Sequence, residues 1–306
     1  MLVSYKPAWP QILKSVGPSL IAVLVVAISA TAFDWYTRDL AILAIPDLPL
    51  SLIGALLGIL LGFRTNSAYG RWWEARSLWG SIVNDSRNWA RQVIAFTPST
   101  GEVTLKRAES FRRQMIYYQI AFVHALRRHL RGEDPLQDLS QFMGDNEQLD
   151  KLRAEKNVPL AIIQQMATRL AAAVSEGMLS DFRFVALDAT LCRMIEYQGG
   201  SERIKNTPFP RQYDYYPEFV ARVYCYLFPL AICHKIGLAT PLLTLLVALA
   251  LLLVNEIGKE LESPFDDLVH GMPLNAICRT IEINLRQQLG EIQLPAPIAP
   301  VNGVLP

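Results

Sequence analysis

Residues 50–76 run LSLIGALLGILLGFRTNSAYGRWWEAR. The tract from Leu48 to Phe63 carries no charge, and then Arg64-Thr65-Asn66 and Arg71-Trp72-Trp73-Glu74-Ala75-Arg76 follow. No proline falls between residues 50 and 97. With nothing to break it, a single helix is predicted to leave an apolar solvent and continue into water. Within it Gly54, Gly58 and Gly62 recur every four residues and form a smooth ridge on one face. Lipid supplies no hydrophobic drive between helices, so such a ridge favours close backbone packing. Ala55, Ile59 and Phe63 form a second row, about 100° further round the same helix. In a ring of identical helices the glycine face can pack while the bulkier row points to the axis. The result is a narrow apolar neck, able to gate by dewetting. The same glycines also suit ordinary helix packing.

Three further apolar segments lie outward from this helix. Val16 to Phe33 holds no charge, and Asp34, Trp35 and Tyr36 close it. Its eighteen residues rise about 27 Å, nearly the hydrocarbon thickness, and the aromatic pair suits the headgroup boundary. Lys6 and Lys14 precede it, and Ile28-Ser29-Ala30 loosely resembles a cleavage site. The spans that follow favour a retained helix over a removed signal. Near the C-terminus, residues 219–234 are apolar beyond Glu218 and Arg222, and Gly237 to Asn255 is strongly so. His234-Lys235 is read as a short break that folds these two into an antiparallel pair. The chain is therefore expected to be an all-α polytopic membrane protein with four transmembrane helices and a large cytoplasmic helical region. Its expected divisions are an interfacial segment 1–15 (with Tyr5, Pro7, Trp9 and Pro10), spans one and two in 16–69, a cytoplasmic helical region 70–215, spans three and four in 216–256, and a cytoplasmic helix and tail 257–306.

Composition agrees. The 306 residues are 51% hydrophobic and 19% charged, with mean hydropathy +0.21. A single soluble domain carries about 25% charged residues. The formal charge of +1 excludes a general nucleic-acid binder. Cys192, Cys225, Cys233 and Cys278 form no CxxC pair and read as small buried hydrophobes. Lys6, Lys14, Arg64, Arg71, Arg76, Arg211 and Arg222 fall on one side of the four spans, whereas Arg38 and Lys235 are nearly alone on the other. The positive-inside rule puts both termini and the helical region in the cytoplasm.

The middle of the chain is amphipathic. Leu78, Ile82, Trp89 and Val93 follow helical spacing, residues 104–131 form another helix, and Gly132 to Pro135 turn. Residues 145–157 are loop or surface helix, and Pro159 to Glu196 gives one or two helices. Gly199-Gly200 is expected to end that region before the rigid linker Thr207-Pro208-Phe209-Pro210. Residues 273–289 form a last amphipathic helix.

No carboxylate or histidine sits at mid-span, so the coupling site that an active transporter needs is missing. An enzyme would need convergent groups. His124 and His129 are five apart, on different helix faces, and no HExxH, GxSxG or phosphate-loop motif occurs. The doublets Arg112-Arg113 and Arg127-Arg128 suit a solvated face, a subunit interface or a scaffold's partner contacts.

The stretch Leu60 to Arg76, centred on Arg71-Trp72-Trp73, resembles the bestrophin channel family. Ser201 to Pro210 continues the match, as do Glu262-Ser263-Pro264-Phe265, Asp267-Leu268 and Met272-Pro273-Leu274. The three motifs occur in order, and the resemblance is to a prokaryotic member, hence to a plasma-membrane protein (inner membrane in a Gram-negative cell). It implies a homopentamer, in contact with membrane lipid, that passes small monovalent ions through one axial pore. Counting back from Arg71-Trp72-Trp73 puts the family's neck at Phe63, Ile59 and Ala55. Ala55 departs from the larger side chain usual there, which implies a wider outer end or a register in which Leu56 takes part. A second, cytoplasmic constriction is expected near 173–185, with Phe182 its candidate. Animal members hold calcium in an acidic cluster past the fourth span. Here Asp266 and Asp267 stand without the family's glycine after Phe265 or the longer acidic run, and read as a solvated helix start. Neither a metal nor any other cofactor is expected, and calcium activation is not. An apolar neck does not choose the sign of the ion. Arg64 and Arg71 would favour anions if they faced the axis, and Glu74 would do the reverse. The bacterial resemblance tilts the expectation to cations over an anion channel of the same architecture.

Overall fold

The computed structural model describes residues 9–37, 50–97, 105–137, 139–144, 146–268, 271–301 and 303–305; the side chains of 9–12, 146–148 and 211 lie outside that description. The expectations for Tyr5, Lys6, Pro7 and Arg38 fall outside the described residues, as do those for the side chains of Trp9, Pro10 and Arg211. The order is α1 (Trp9–Thr37), α2 (Leu50–Phe96), α3 (Leu105–Arg131), α4 (Ser140–Met143), α5 (Asn146–Arg153), α6 (Val158–Ser175), α7 (Asp181–Asn206), α8 (Arg211–Ile236), a 3₁₀ turn (Gly237–Ala239), α9 (Thr240–Glu262) and α10 (Leu274–Gln288). Among the described residues the sole extended pairing is the isolated bridge Val301–Val304. Three helical stretches are long and apolar enough to cross a membrane: Leu13–Thr37, Leu50–Phe96 and Gln212–Glu262.

The chain divides into two compact units. One comprises the described residues up to Trp72 together with Pro208–Ser263, and the other Trp73–Thr207 together with the chain from Pro264. In the first, α1 packs on α8 and α9. Val16, Leu20 and Val23 of α1 meet Cys225, Ala248 and Leu252 there. A second cluster joins Leu57 and Leu61 of α2 to Ala221 and Tyr224 of α8. The helix α8 runs on through His234 and Lys235 and ends only at Gly237, whose φ is +62°. Charge at 234–235 does not stop a helix; a left-handed glycine does, because it lacks the Cβ that opposes that backbone. Thr240-Pro241 then opens α9, where proline costs no hydrogen bond.

The second unit is built around α3. Met115, Ile116 and every residue from Tyr118 to Leu126 are buried there. Trp79, Ile82, Trp89 and Val93 of α2 are fully buried, and Leu78 half-buried. Trp89 Nε1 donates to the Met115 carbonyl at 3.1 Å. Residues 159–196 resolve into two helices, and α7 does not stop at Gly199-Gly200 but continues to Asn206. Two glycines in a helix cost about 1 kcal/mol each. Gly200 offsets this by close packing: a Cβ there would lie 3.0 Å and 3.1 Å from the δ-carbons of Leu78.

His124 is buried, stacked on Phe142 with centroids 5.1 Å apart, and its Nε2 lies 3.6 Å from Glu282. Burial holds this imidazole below the ordinary histidine value despite the nearby carboxylate. Burial also pushes Glu282 up, but His124, Arg279 and Arg286 outweigh it and hold the carboxyl below its usual range. Both folded-state values are depressed. Each group's contribution is therefore present above its unfolded value and lost as pH falls through the folded one. Acidification from about pH 7 to about pH 5 is expected to lower the melting temperature as His124 is forced to charge, with Glu282 adding its loss below about pH 4.5. His124→Phe should flatten the first part of that curve. A variant as steep as wild type in scanning fluorimetry would clear His124 of the effect.

Candidate ion pathway

Because α2 is regular from Leu50 to Phe96, its faces follow from spacing alone. One stripe is buried: Leu57, Leu61, Arg64 and Ala68. The opposite row is bare. Ile59 is 56% exposed and Phe63 62%, and Ala55 is exposed beside them. Leu56 is exposed on the adjoining face at 55%. The glycine ridge is split in use. A Cβ on Gly54 would come within 2.9 Å of Tyr224 Oη, whereas Gly58 and Gly62 have no neighbour within 4 Å. Gly54 thus admits α8 of its own chain, and the other two leave backbone surface open.

Arg64 is not a mouth charge. It is 2% exposed and turned inward. Its Nη1 donates to Asn255 Oδ1 at 2.6 Å and to the Asn255 carbonyl at 3.3 Å, and its Nη2 pairs with Asp214. The Glu262 carboxylate lies 3.9 Å away. One buried cation thus ties α2 to the start of α8 and the end of α9. Arg71 is half-buried; its Nε donates to the Glu262 carbonyl at 2.8 Å, and its guanidinium lies 5.6 Å from the centre of the Phe209 ring. Glu74 is exposed and paired with Arg203. Sequence reading singled out Arg64 but missed Asp214 and Asn255, which lie 150 and 191 positions away. The available signal was the short list of polar residues at the ends of apolar helices.

In the second unit, Phe182 stands in the first turn of α7, 91% exposed, with Val185 also exposed. His124 and His129 serve separate carboxylates, Glu282 at 3.6 Å and Glu202 at 3.5 Å. Asp266 and Asp267 are not a helix start: α10 begins at Leu274. Asp266 accepts from Lys205 Nζ at 2.8 Å and Asp267 from Arg131 Nη2 at 3.3 Å. Arg131 also donates to the Phe265 carbonyl and Asn275, so the loop between α9 and α10 is pinned by cations, which the acid pattern alone did not reveal. Among the described residues no group of three or more His, Cys, Asp or Glu could hold a metal.

A family model, the bacterial and fungal bestrophin protein, matches residues 8–287. The chain belongs to the bestrophin family. Among the relatives of this bestrophin is the Mesorhizobium japonicum voltage-dependent anion channel-forming protein mll4386, 32% identical over 92% of this chain and 86% of that one. The Escherichia coli voltage-dependent anion channel-forming protein YneE is 32% identical over 82% of this chain and 80% of its own. A solved bacterial bestrophin homologue from Klebsiella pneumoniae superposes with TM-score 0.83 at 28% identity, covering 90% of this chain and 98% of that one. This bestrophin therefore stands with channel-forming membrane proteins rather than with enzymes.

Proposed function

We propose that five copies of this chain form a passive channel for small monovalent ions. Its path runs along the exposed α2 row Ala55, Ile59 and Phe63. That row carries the proposal: large apolar side chains stand bare beside the open backbone of Gly58 and Gly62, as a helix facing its symmetry mates requires. The stretch Gln212–Glu262 doubles back at Gly237–Ala239 into two packed helices, which supports four crossings in all. Basic residues near the span ends support cytoplasmic termini and an inner-membrane location. Phe182 supplies a second constriction in the cytoplasmic region.

The pore favours cations. Arg64 and Arg71, the cations nearest the inner end of the neck, are drawn into the protein by Asp214, Asn255 and the Glu262 carbonyl, so they add little positive field to the path. The second reading, an anion channel of the same architecture, is favoured by the names of the relatives. Recordings from the purified protein in a planar bilayer under a salt gradient decide between them by the sign of the reversal potential. Current that saturates and never resolves into unitary steps would replace both with a transporter. Calcium is not required, because Lys205 and Arg131 already neutralise Asp266 and Asp267. A calcium chelator should leave the current unchanged, and its loss would overturn that part of the account.

A further inference from the structure

The second unit carries two adjoining hollows far along α2. One, of about 610 Å³, is lined by Arg87, Asn88, Arg91, Ile94, Ala95 and Gln288. The other, of about 320 Å³, shares Ile94 and Gln288 and adds Glu109, Arg112, Arg113 and Glu291. Their charge is uneven. Glu291 is held by Tyr117 Oη and Arg286 Nε, each at 2.7 Å. Arg87 and Arg91 meet only neutral amides: Arg87 Nε donates to Asn284 Oδ1 at 2.9 Å, and Arg91 Nη2 to Asn88 Oδ1 at 2.7 Å. Among the described residues no carboxylate lies within ion-pair distance of either. Arg113 adds a third guanidinium, 5.2 Å from the centre of the Tyr117 ring.

Two arginines four residues apart project side by side from one helix face, with Cβ atoms about 6 Å apart. That spacing suits two neighbouring phosphoryl groups, and the planar fork of each guanidinium matches phosphate oxygens better than a lone carboxylate would use them. The floor of Ile94 and Ala95 is apolar and accepts a less polar remainder. We propose that this groove binds a small phosphorylated anion carrying two linked phosphates, with Arg87 and Arg91 as its primary ligands. Its binding is read without conduction.

Inorganic pyrophosphate is the probe, titrated into the full-length detergent-purified protein by calorimetry. Saturable binding is expected, about tenfold tighter than orthophosphate at matched ionic strength. Arg87→Gln with Arg91→Gln should weaken it about a hundredfold, and Arg87→Lys with Arg91→Lys should retain part of it. Both arginines are exposed, so the variants are expected to fold, which an unchanged melting temperature without ligand checks. Absence of saturable binding, equal affinity for orthophosphate, or unchanged affinity in the glutamine variant would each overturn the assignment.

Discussion

Phe63→Ala and Ile59→Ala are expected to raise unitary conductance several-fold and to lengthen open dwell times. Both side chains are more than half exposed on the chain by itself, on the row proposed to face the axis. A ring of phenylalanines leaves a bore in which water is unstable, so ions stall there without any charged barrier. Truncation widens that bore and adds room for a continuous water column. Ala55→Leu should work the other way, narrowing the outer end where this chain carries a small residue. Leu242 of α9, 65% exposed, serves as the comparison: Leu242→Ala should leave conductance within the scatter of wild type, because it lies on another helix. Unchanged currents in both Phe63→Ala and Ile59→Ala would remove these residues from the gate.

Arg64→Met is expected to destabilise the protein by about 2–3 kcal/mol, more than any exposed arginine substitution. Removing one partner of a buried pair strands the other: Asp214 keeps its charge and Asn255 loses its best donor. The Asp214 side chain retains 37% exposure, so water recovers part of the loss, and the figure sits below that for a fully enclosed pair. Arg64→Lys restores charge but not the fork that reaches Asn255 and Asp214 together, so it should fall between. Asp214→Asn on the Arg64→Met background should regain stability, since the stranded carboxylate is gone. Melting temperatures of the four detergent-solubilised proteins test the cycle. Additive losses in the double variant would show that the two residues do not act as a pair.

Much of this molecule was legible in the sequence, for definable reasons. The helix α2 was readable end to end because its apolar tract and its polar continuation share one proline-free run, Leu50 to Phe96. The buried row Ile82, Trp89 and Val93 was readable from local spacing. Gly199-Gly200 misled because a glycine pair is a breaker by propensity, while here Gly200 yields to Leu78, a contact set by tertiary packing. Asp266 and Asp267 misled because their partners, Lys205 and Arg131, are remote in sequence. Arg64 was noticed but given the wrong surroundings for the same reason. Periodicity reports which face a residue occupies and says nothing of what lies opposite. The bare row Ala55, Ile59 and Phe63 was found by periodicity and again from the bestrophin motif, two routes that share no assumption.

The most direct test of the central claim is whether position 63 faces the conducting water. Phe63→Cys on a Cys192→Ser background, Cys192 being the one exposed native thiol among the described residues, can be treated with a small charged methanethiosulfonate during bilayer recording. The modified residue should change unitary current at once and irreversibly, while the background protein stays unaffected. Modification confirmed by mass with no change in current would place Phe63 outside the ion path and contradict the account.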